Sequence, residues 1–269
     1  MKELLVLGLD GLEYDKVMEL DLKTLKQAEF GKLEVPIHKV SQQPLTPQVW
    51  YAFLTGKVKD IDFVHKSKSI SLLRWLRARV PISLGLGKVV AKHVDTTGYL
   101  PELKEKTFIE THGIEQINAP YYDEDFVESQ KNGAKWLNGE MSEDEFKGTI
   151  ESKYAEVKQK IASNKANKLF AYIKIFDTAQ HCFYTDADYI NKLYRDVDSF
   201  VSMAAKGYSK CLILSDHGLK GGEHTNYGFY SCSETTGLKE PSVVDLHYYV
   251  TGEPNKEEIK KRLQGLGYM

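Results

Sequence analysis

The sequence predicts an α/β domain, a mostly parallel sheet sandwiched between helices with a small cap or insert. Three observations predict it. Short apolar runs stand at 4–9 (LLVLGL), 169–176 (LFAYIKIF) and 211–214 (CLIL). Amphipathic helical patterns lie between and after them. Each run leads at once, or after one serine, to an aspartate: Asp10, Asp177 and Asp216. Runs that stay apolar without alternation suit strands buried on both faces of a parallel sheet. Strands alternating with helices arrange themselves that way.

The first run, 4–9, is broken by Asp10, is too short to span a membrane, and has no small-residue cleavage site after it. It is expected to be the first buried strand of a cytoplasmic protein. From Thr46 to Gly56 the pattern is helical. Thr46 suits an N-cap, Pro47 the first helical position, and Gly56 the stop. The stretch 58–144 is less regular. It contains a basic segment at 73–79 (LRWLRAR), glycine-rich turns and an acidic patch at 123–125. It is expected to form a peripheral or cap segment inserted in a single catalytic domain covering 1–269. Helices are expected at 145–162, with Phe146, Ile150, Tyr154, Val157 and Ile161 on one stripe, and at 188–204, with Ile190, Leu193, Tyr194, Val197, Phe200 and Val201. A C-terminal helix is expected at 256–265.

Composition narrows the function. A formal net charge of -2 gives no basic field for nucleic acid. The three cysteines, Cys182, Cys211 and Cys232, form neither a CxxC pair nor an even framework, and read as small buried hydrophobes. Gly85-Leu86-Gly87-Lys88 lacks the upstream glycine and the Ser/Thr of a P-loop. The basic run at 73–79 reads as a solvated helix face.

In an open parallel sheet, ligands bind beyond the carboxyl ends of the strands. A single strand-end aspartate needs no explanation, because Asp favours caps and turns. Here histidines accompany them. His181 follows Asp177 by four positions, which puts both on one side of a helical turn. His217 follows Asp216 directly, and Gly218 allows the backbone a sharp or φ-positive turn. His224 lies in a glycine-flanked loop. Carboxylates with imidazoles are the donors expected for zinc, manganese or iron. Thr46, at a helix N-terminus, sits where an anion is favoured, although a plain cap explains that segment equally well. Trp50, Tyr51, Tyr184, Tyr227 and Tyr230 read first as core or supporting residues. Asn226 is a candidate supporting partner.

Taken in order, Leu-Gly-Leu-Asp10-Gly, Thr46 nine residues before Thr55-Gly56, Asp177-x-x-x-His181, Ser215-Asp216-His217-Gly218 and His224 resemble the alkaline phosphatase superfamily. They are most similar to the type I phosphodiesterase/nucleotide pyrophosphatase branch, in a short prokaryotic or archaeal-like form. The resemblance implies an alkaline phosphatase-like core and two divalent cations, most commonly zinc, with manganese in some members. Asp177, His181 and His224 would hold one. Asp10, Asp216 and His217 would hold the other, with Thr46 beside it. It implies hydrolysis of a phosphodiester or nucleotide pyrophosphate bond in two in-line displacements through a phosphothreonine at Thr46, acting on a small phosphorylated substrate such as a nucleotide. A phosphomonoesterase or phosphonate hydrolase of the same superfamily is the alternative. A non-catalytic binding protein on this fold would have lost ligands, and all six stand. The sequence departs from the branch after Gly56, where Lys57-Val58-Lys59-Asp60 replaces a Pro-x-x-His-Gly element. The asparagine that steadies a phosphoryl oxygen has no counterpart.

Overall fold

The structure, a computed structural model, describes residues 1–65, 98–122 and 125–254. The segments 73–79 and 85–88, the acidic positions 123 and 124, and the helix expected at 256–265 lie outside the described residues. Strand β1 (Lys2–Leu9) runs down the middle of a six-stranded sheet. It pairs in parallel with β6 (Lys168–Ile173) on one side and β7 (Tyr208–Ser215) on the other. Beyond β6 lies β5 (Glu115–Ile117), also parallel. Beyond β7 come β10 (Gly228–Cys232) and then β2 (Glu29–Leu33), each antiparallel to its neighbour. Among the described residues there are two further antiparallel pairs: β3 (Val64–His65) with β4 (Gly98–Tyr99), and the hairpin β8 (Leu219–Lys220) with β9 (Glu223–His224).

Period two sorts β1 between two cores. Leu5, Leu7 and Leu9 face one side with Leu169, Ala171, Ile173 and Ile213. There they meet α5 (Glu143–Ser163), α6 (Ile175–Phe183), α7 (Ala187–Ala205) and the short α1 (Tyr14–Glu19). Leu4 and Val6 face the other side with Phe170, Tyr172, Leu212 and Leu214. There they meet α2 (Thr46–Thr55), the one-turn α3 (Phe108–Thr111) and α8 (Val243–Thr251). Trp50, Phe53, Phe108 and Phe170 fill that second core with tilted and edge-to-face contacts. Each such fully buried ring contributes about 1.5–3 kcal/mol from transfer alone. The last helix, α4 (Asp125–Leu137), packs beside α5, where Trp136 stacks on Phe146.

The expected helices at 145–162 and 188–204 form, and each is a little longer. Ser142 caps α5 in a reciprocal capping box with Glu145, and the Asp186 side chain caps α7. The expected strand at 169–176 is too long. It ends at Ile173, and Ile175 and Phe176 begin α6. Both are buried, so a helix's inward face continued the apolar run. Glu115–Ile117, within the expected insert 58–144, belongs to the main sheet as β5. Among the described residues, no helix is long and apolar enough to cross a membrane.

Candidate metal centre and nucleophile

Sheet register brings the site together. Gly8 lies opposite Leu214, so Asp10 and Asp216, each two residues on, emerge side by side. Leu9 lies opposite Ile173, and the chain then turns into α6. Asp177 is therefore in the first turn of a helix, as its four-residue spacing to His181 expects, and not directly at a strand end. Its N–H donates to the Asp10 carbonyl at 3.0 Å. Gly11, at φ 77°, makes this possible, since a Cβ there would lie 2.7 Å from the Asp177 nitrogen. His181 follows one turn along α6, with Nε2 3.1 Å from Asp177 Oδ1.

His217 is fully buried. Its Nε2 lies 3.6 Å from Asp10 Oδ1, 3.4 Å from Asp216 Oδ2 and 3.4 Å from Thr46 Oγ1. The hairpin β8–β9 carries in His224, which stacks on His217 with ring centroids 3.7 Å apart. His224 Nδ1 pairs with the Pro44 carbonyl at 3.1 Å. As the donor in that pair, it leaves Nε2 with a free lone pair, 3.1 Å from His181 Nε2.

Thr46 is not an N-cap. Leu45 occupies that position, α2 starts at Thr46, and Pro47 stands next in its first turn. The Thr46 side chain makes no capping bond, and its hydroxyl turns to His217 instead. Gly56 ends the helix in the left-handed conformation at φ 70°. Gly218 was expected to supply backbone freedom. It does not adopt a positive φ; its missing side chain instead makes room for the Glu13 carboxylate, which a Cβ would overlap.

Six ligand-type side chains and one hydroxyl thus meet at the carboxyl edge of the sheet. Two groups offer three donor atoms within 4.8 Å of one another: Asp10, Asp216 and His217, and Asp177, His217 and His224. His181 adjoins the second group through the two 3.1 Å approaches. Donors on a tetrahedral zinc, with bonds of about 2.0–2.1 Å, stand roughly 3.3 Å apart. The separations around His217 Nε2 and His181 Nε2 match that spacing. Among the described residues, Asp10 Oδ1 and Asp216 Oδ2 are buried without a hydrogen-bond partner. A cation would satisfy both, so the side chains fit divalent metal ions.

Electrostatics agree. Burial, then the neighbouring Asp216 and Asp177, hold the Asp10 carboxyl well above the usual range. Burial likewise raises Asp216. Burial pushes His217 down to about 4. Burial together with His217 does the same to His224, also to about 4. Both imidazoles are therefore neutral near pH 7, as metal ligands must be. Asp177 differs. Burial works to raise it, but His181 and Lys174 outweigh that and hold it low.

Several residues at the site carried no signal in the motifs. The Tyr172 hydroxyl donates to Asp10 Oδ2. Lys174 Nζ stands 3.6 Å from Asp177 Oδ2. Gln180 Nε2 donates to the Gly11 carbonyl at 2.7 Å. The buried Glu13 accepts from Tyr227 at 3.1 Å, tying the loop after Asp10 to the segment after His224. Strand parity could have found Tyr172, because it shares its face with Phe170 on the α2 side. Of the noted aromatics, Trp50 and Tyr230 are core, while Tyr184 is exposed; Asn226 is exposed too.

No protein-family model matches this chain, and no curated protein sequence does. Solved structures do. The alkaline phosphatase from the Antarctic bacterium TAB5 aligns over 94% of this chain and 98% of its own, at 11% identity and a TM-score of 0.50. The PH0037 protein from Pyrococcus horikoshii aligns over 95% and 98%, at 12% identity and a TM-score of 0.43. The murine ectonucleotide pyrophosphatase/phosphodiesterase 5 aligns over 81% of this chain and 57% of its own, at 15% identity and a TM-score of 0.35. The first of these defines the class: the chain has the alkaline phosphatase-like fold. The expected architecture, a mostly parallel sheet between helices, is borne out.

Proposed function

We propose that the chain is a phosphoesterase of the alkaline phosphatase superfamily, dependent on two divalent cations and using Thr46 as nucleophile. Its finer parts are zinc as the metal, with manganese as the alternative, a phosphodiester or nucleotide pyrophosphate bond as the target, and a cytoplasmic location. Asp177, His181 and His224 would hold one cation, and Asp10, Asp216 and His217 the other. One observation carries the reading. The Thr46 hydroxyl, free of any capping duty, lies 3.4 Å from His217 Nε2 beside two buried carboxylate oxygens that have no hydrogen-bond partner among the described residues.

When bound, divalent cations lower the pKa of a nearby hydroxyl and neutralise charge on phosphoryl oxygens. The protein's own groups do the rest. Thr46 Oγ1 forms a bond to phosphorus as the ester oxygen departs in line; the hydroxyl proton passes to solvent and the departing oxygen takes a proton up from it. Water then displaces Thr46 from the phosphothreonine and restores the hydroxyl. The first turn of α2 offers free N–H groups to the phosphoryl oxygens, and Gln48 is the donor next to Thr46 because Pro47 has none. Lys174, 3.6 Å from Asp177, is a basic group that the motifs did not show. It supports the second reading, a phosphomonoesterase or phosphonate hydrolase, whose substrates carry more negative charge. Residues 58–144, apart from β5, are proposed as the cap; Tyr121 from this stretch already reaches α2, its hydroxyl donating to the Pro47 carbonyl.

The test is turnover of bis-p-nitrophenyl phosphate, a nucleotide p-nitrophenyl ester and p-nitrophenyl phosphate with zinc or manganese. We expect about two bound cations per chain and loss of activity with chelator. Thr46→Ala should lower kcat by at least about 1000-fold with metal content retained. Full activity in that variant, or no turnover of any ester by the metal-loaded protein, overturns the proposal.

A further inference from the structure

A cavity adjoins the metal centre through residues that belong to both. Tyr172, whose hydroxyl bonds Asp10, lines it. So does Lys174, the partner of Asp177, and so does Thr178, the next residue after Asp177. Opposite them, Phe146, Ile150, Tyr154 and Val157 from α5 form an apolar wall. Leu100 and the turn after β5, residues 118–120, close it. The cavity measures about 90 Å³. One water needs only about 10–15 Å³ on this measure, so there is room for a compact organic group.

The lining states what that group must be. It is mainly hydrocarbon and aromatic, which favours an apolar body. Polar side chains interrupt it, among them Glu128, Asn132, Thr149, Lys153 and Thr178. Among the described residues, Asn118 Oδ1, on a residue held at φ 54°, and the Tyr154 hydroxyl are buried without a hydrogen-bond partner. A buried acceptor left unmet costs about 1–3 kcal/mol, which a ligand N–H or O–H would recover. Lys174 sits where the cavity meets the carboxylates. A cation there suits the junction between an anionic phosphoryl group and its apolar substituent.

We infer that this cavity is a substrate subsite. It takes a compact organic group of a phosphoester, largely apolar and carrying a polar atom that meets Asn118 or Tyr154. This rests on the phosphoesterase reading and deepens it. It assigns selectivity to α5 and the turn after β5, on the opposite side of Tyr172 from the nucleophile helix.

The test compares methyl and phenyl p-nitrophenyl phosphates on the metal-loaded protein. Wild type should prefer the phenyl ester in kcat/KM, chiefly through KM. Thr149→Trp places bulk at a half-exposed position on the wall. It should cut the phenyl-to-methyl kcat/KM ratio at least about 10-fold, or roughly 1.4 kcal/mol of discrimination. Ile150→Phe, deeper in the wall, should act in the same direction, and circular dichroism melts of both variants confirm folding. Binding of phenylphosphonate, measured by calorimetry, should weaken in parallel. An unchanged ratio in both folded variants overturns the subsite. If neither ester is turned over by wild type, the phosphoesterase reading fails, and phenylphosphonate binding, lost or kept in Thr149→Trp, still decides the subsite.

Discussion

The two ligand clusters differ in how completely the protein closes around them. Asp10, Asp216 and His217 are 0–1% exposed and stand at strand ends. Asp177 and His181 ride on a helix, and the His181 side chain is 40% exposed. The inner cluster contains two carboxylates with a partnerless oxygen each. The outer carboxylate already has Lys174 and His181 beside it. The difference teaches that burial without compensation, more than the number of acidic groups, creates the demand for a cation. Two carboxylates out of water repel each other and resist ionisation, whereas a paired one does not.

Ligand removal should separate the clusters most widely. Asp216→Ala should weaken binding of one cation at least about 100-fold, and His181→Ala should weaken the other about 10-fold, because solvent can replace an exposed imidazole. Calorimetric zinc titration reads both, and equal losses would erase the distinction between the clusters. Stability of the cation-free protein sharpens the contrast further, because the sign should invert. Asp10→Asn removes a buried repulsion while keeping an acceptor for Tyr172, and should stabilise by about 1–3 kcal/mol. Asp177→Asn gives up the attraction of Lys174 and His181, and should destabilise by about 1 kcal/mol. Urea unfolding in chelator measures both, and a destabilised Asp10→Asn would contradict the electrostatic account.

The smallest effect expected is in pH. The raised Asp10 and Asp216 carboxyls favour the cation-free fold at low pH, and that contribution is lost as pH rises through their folded values. His217 and His224, lowered to about 4, contribute stability above their unfolded value of about 6.5 and lose it as pH falls toward 4. Cation binding needs ionised carboxyls and neutral imidazoles at once. The drop in Tm caused by chelator should therefore be several degrees larger at pH 8 than at pH 5. Equal drops at both pH values would break the link.

The legible part of the molecule was the part written locally. Helices α5 and α7 declare themselves because burial follows a period of 3.6, and strand β1 because its apolar run is unbroken and buried on both faces. Asp10 and Asp216 were readable for a related reason, since a polar group ending an apolar run marks the edge of a sheet. The missed parts depend on partners far away in the chain. Strand β10 (GFYSC) and β2 (EFGKL) have little pattern of their own; pairing of β10 with β7, and of β2 with β10, makes them strands. Thr46 was read one position late because a threonine before proline is a good cap, and only the position of His217 shows what its hydroxyl faces. Tyr172, Lys174 and Glu13 sit in segments whose composition is ordinary. Their roles arise from register and from the turn at Gly11.

The hydrogen bond from His224 to the Pro44 carbonyl spans 180 positions of sequence. During synthesis, the chain therefore makes Thr46, the proposed nucleophile, long before it can finish the pocket proposed to activate it. Thr46, Asp10 and the α6 pair have all been made while the hairpin that latches onto residue 44 is still to come. On the proposed reading, a product ending before that hairpin would carry the threonine as an inert alcohol.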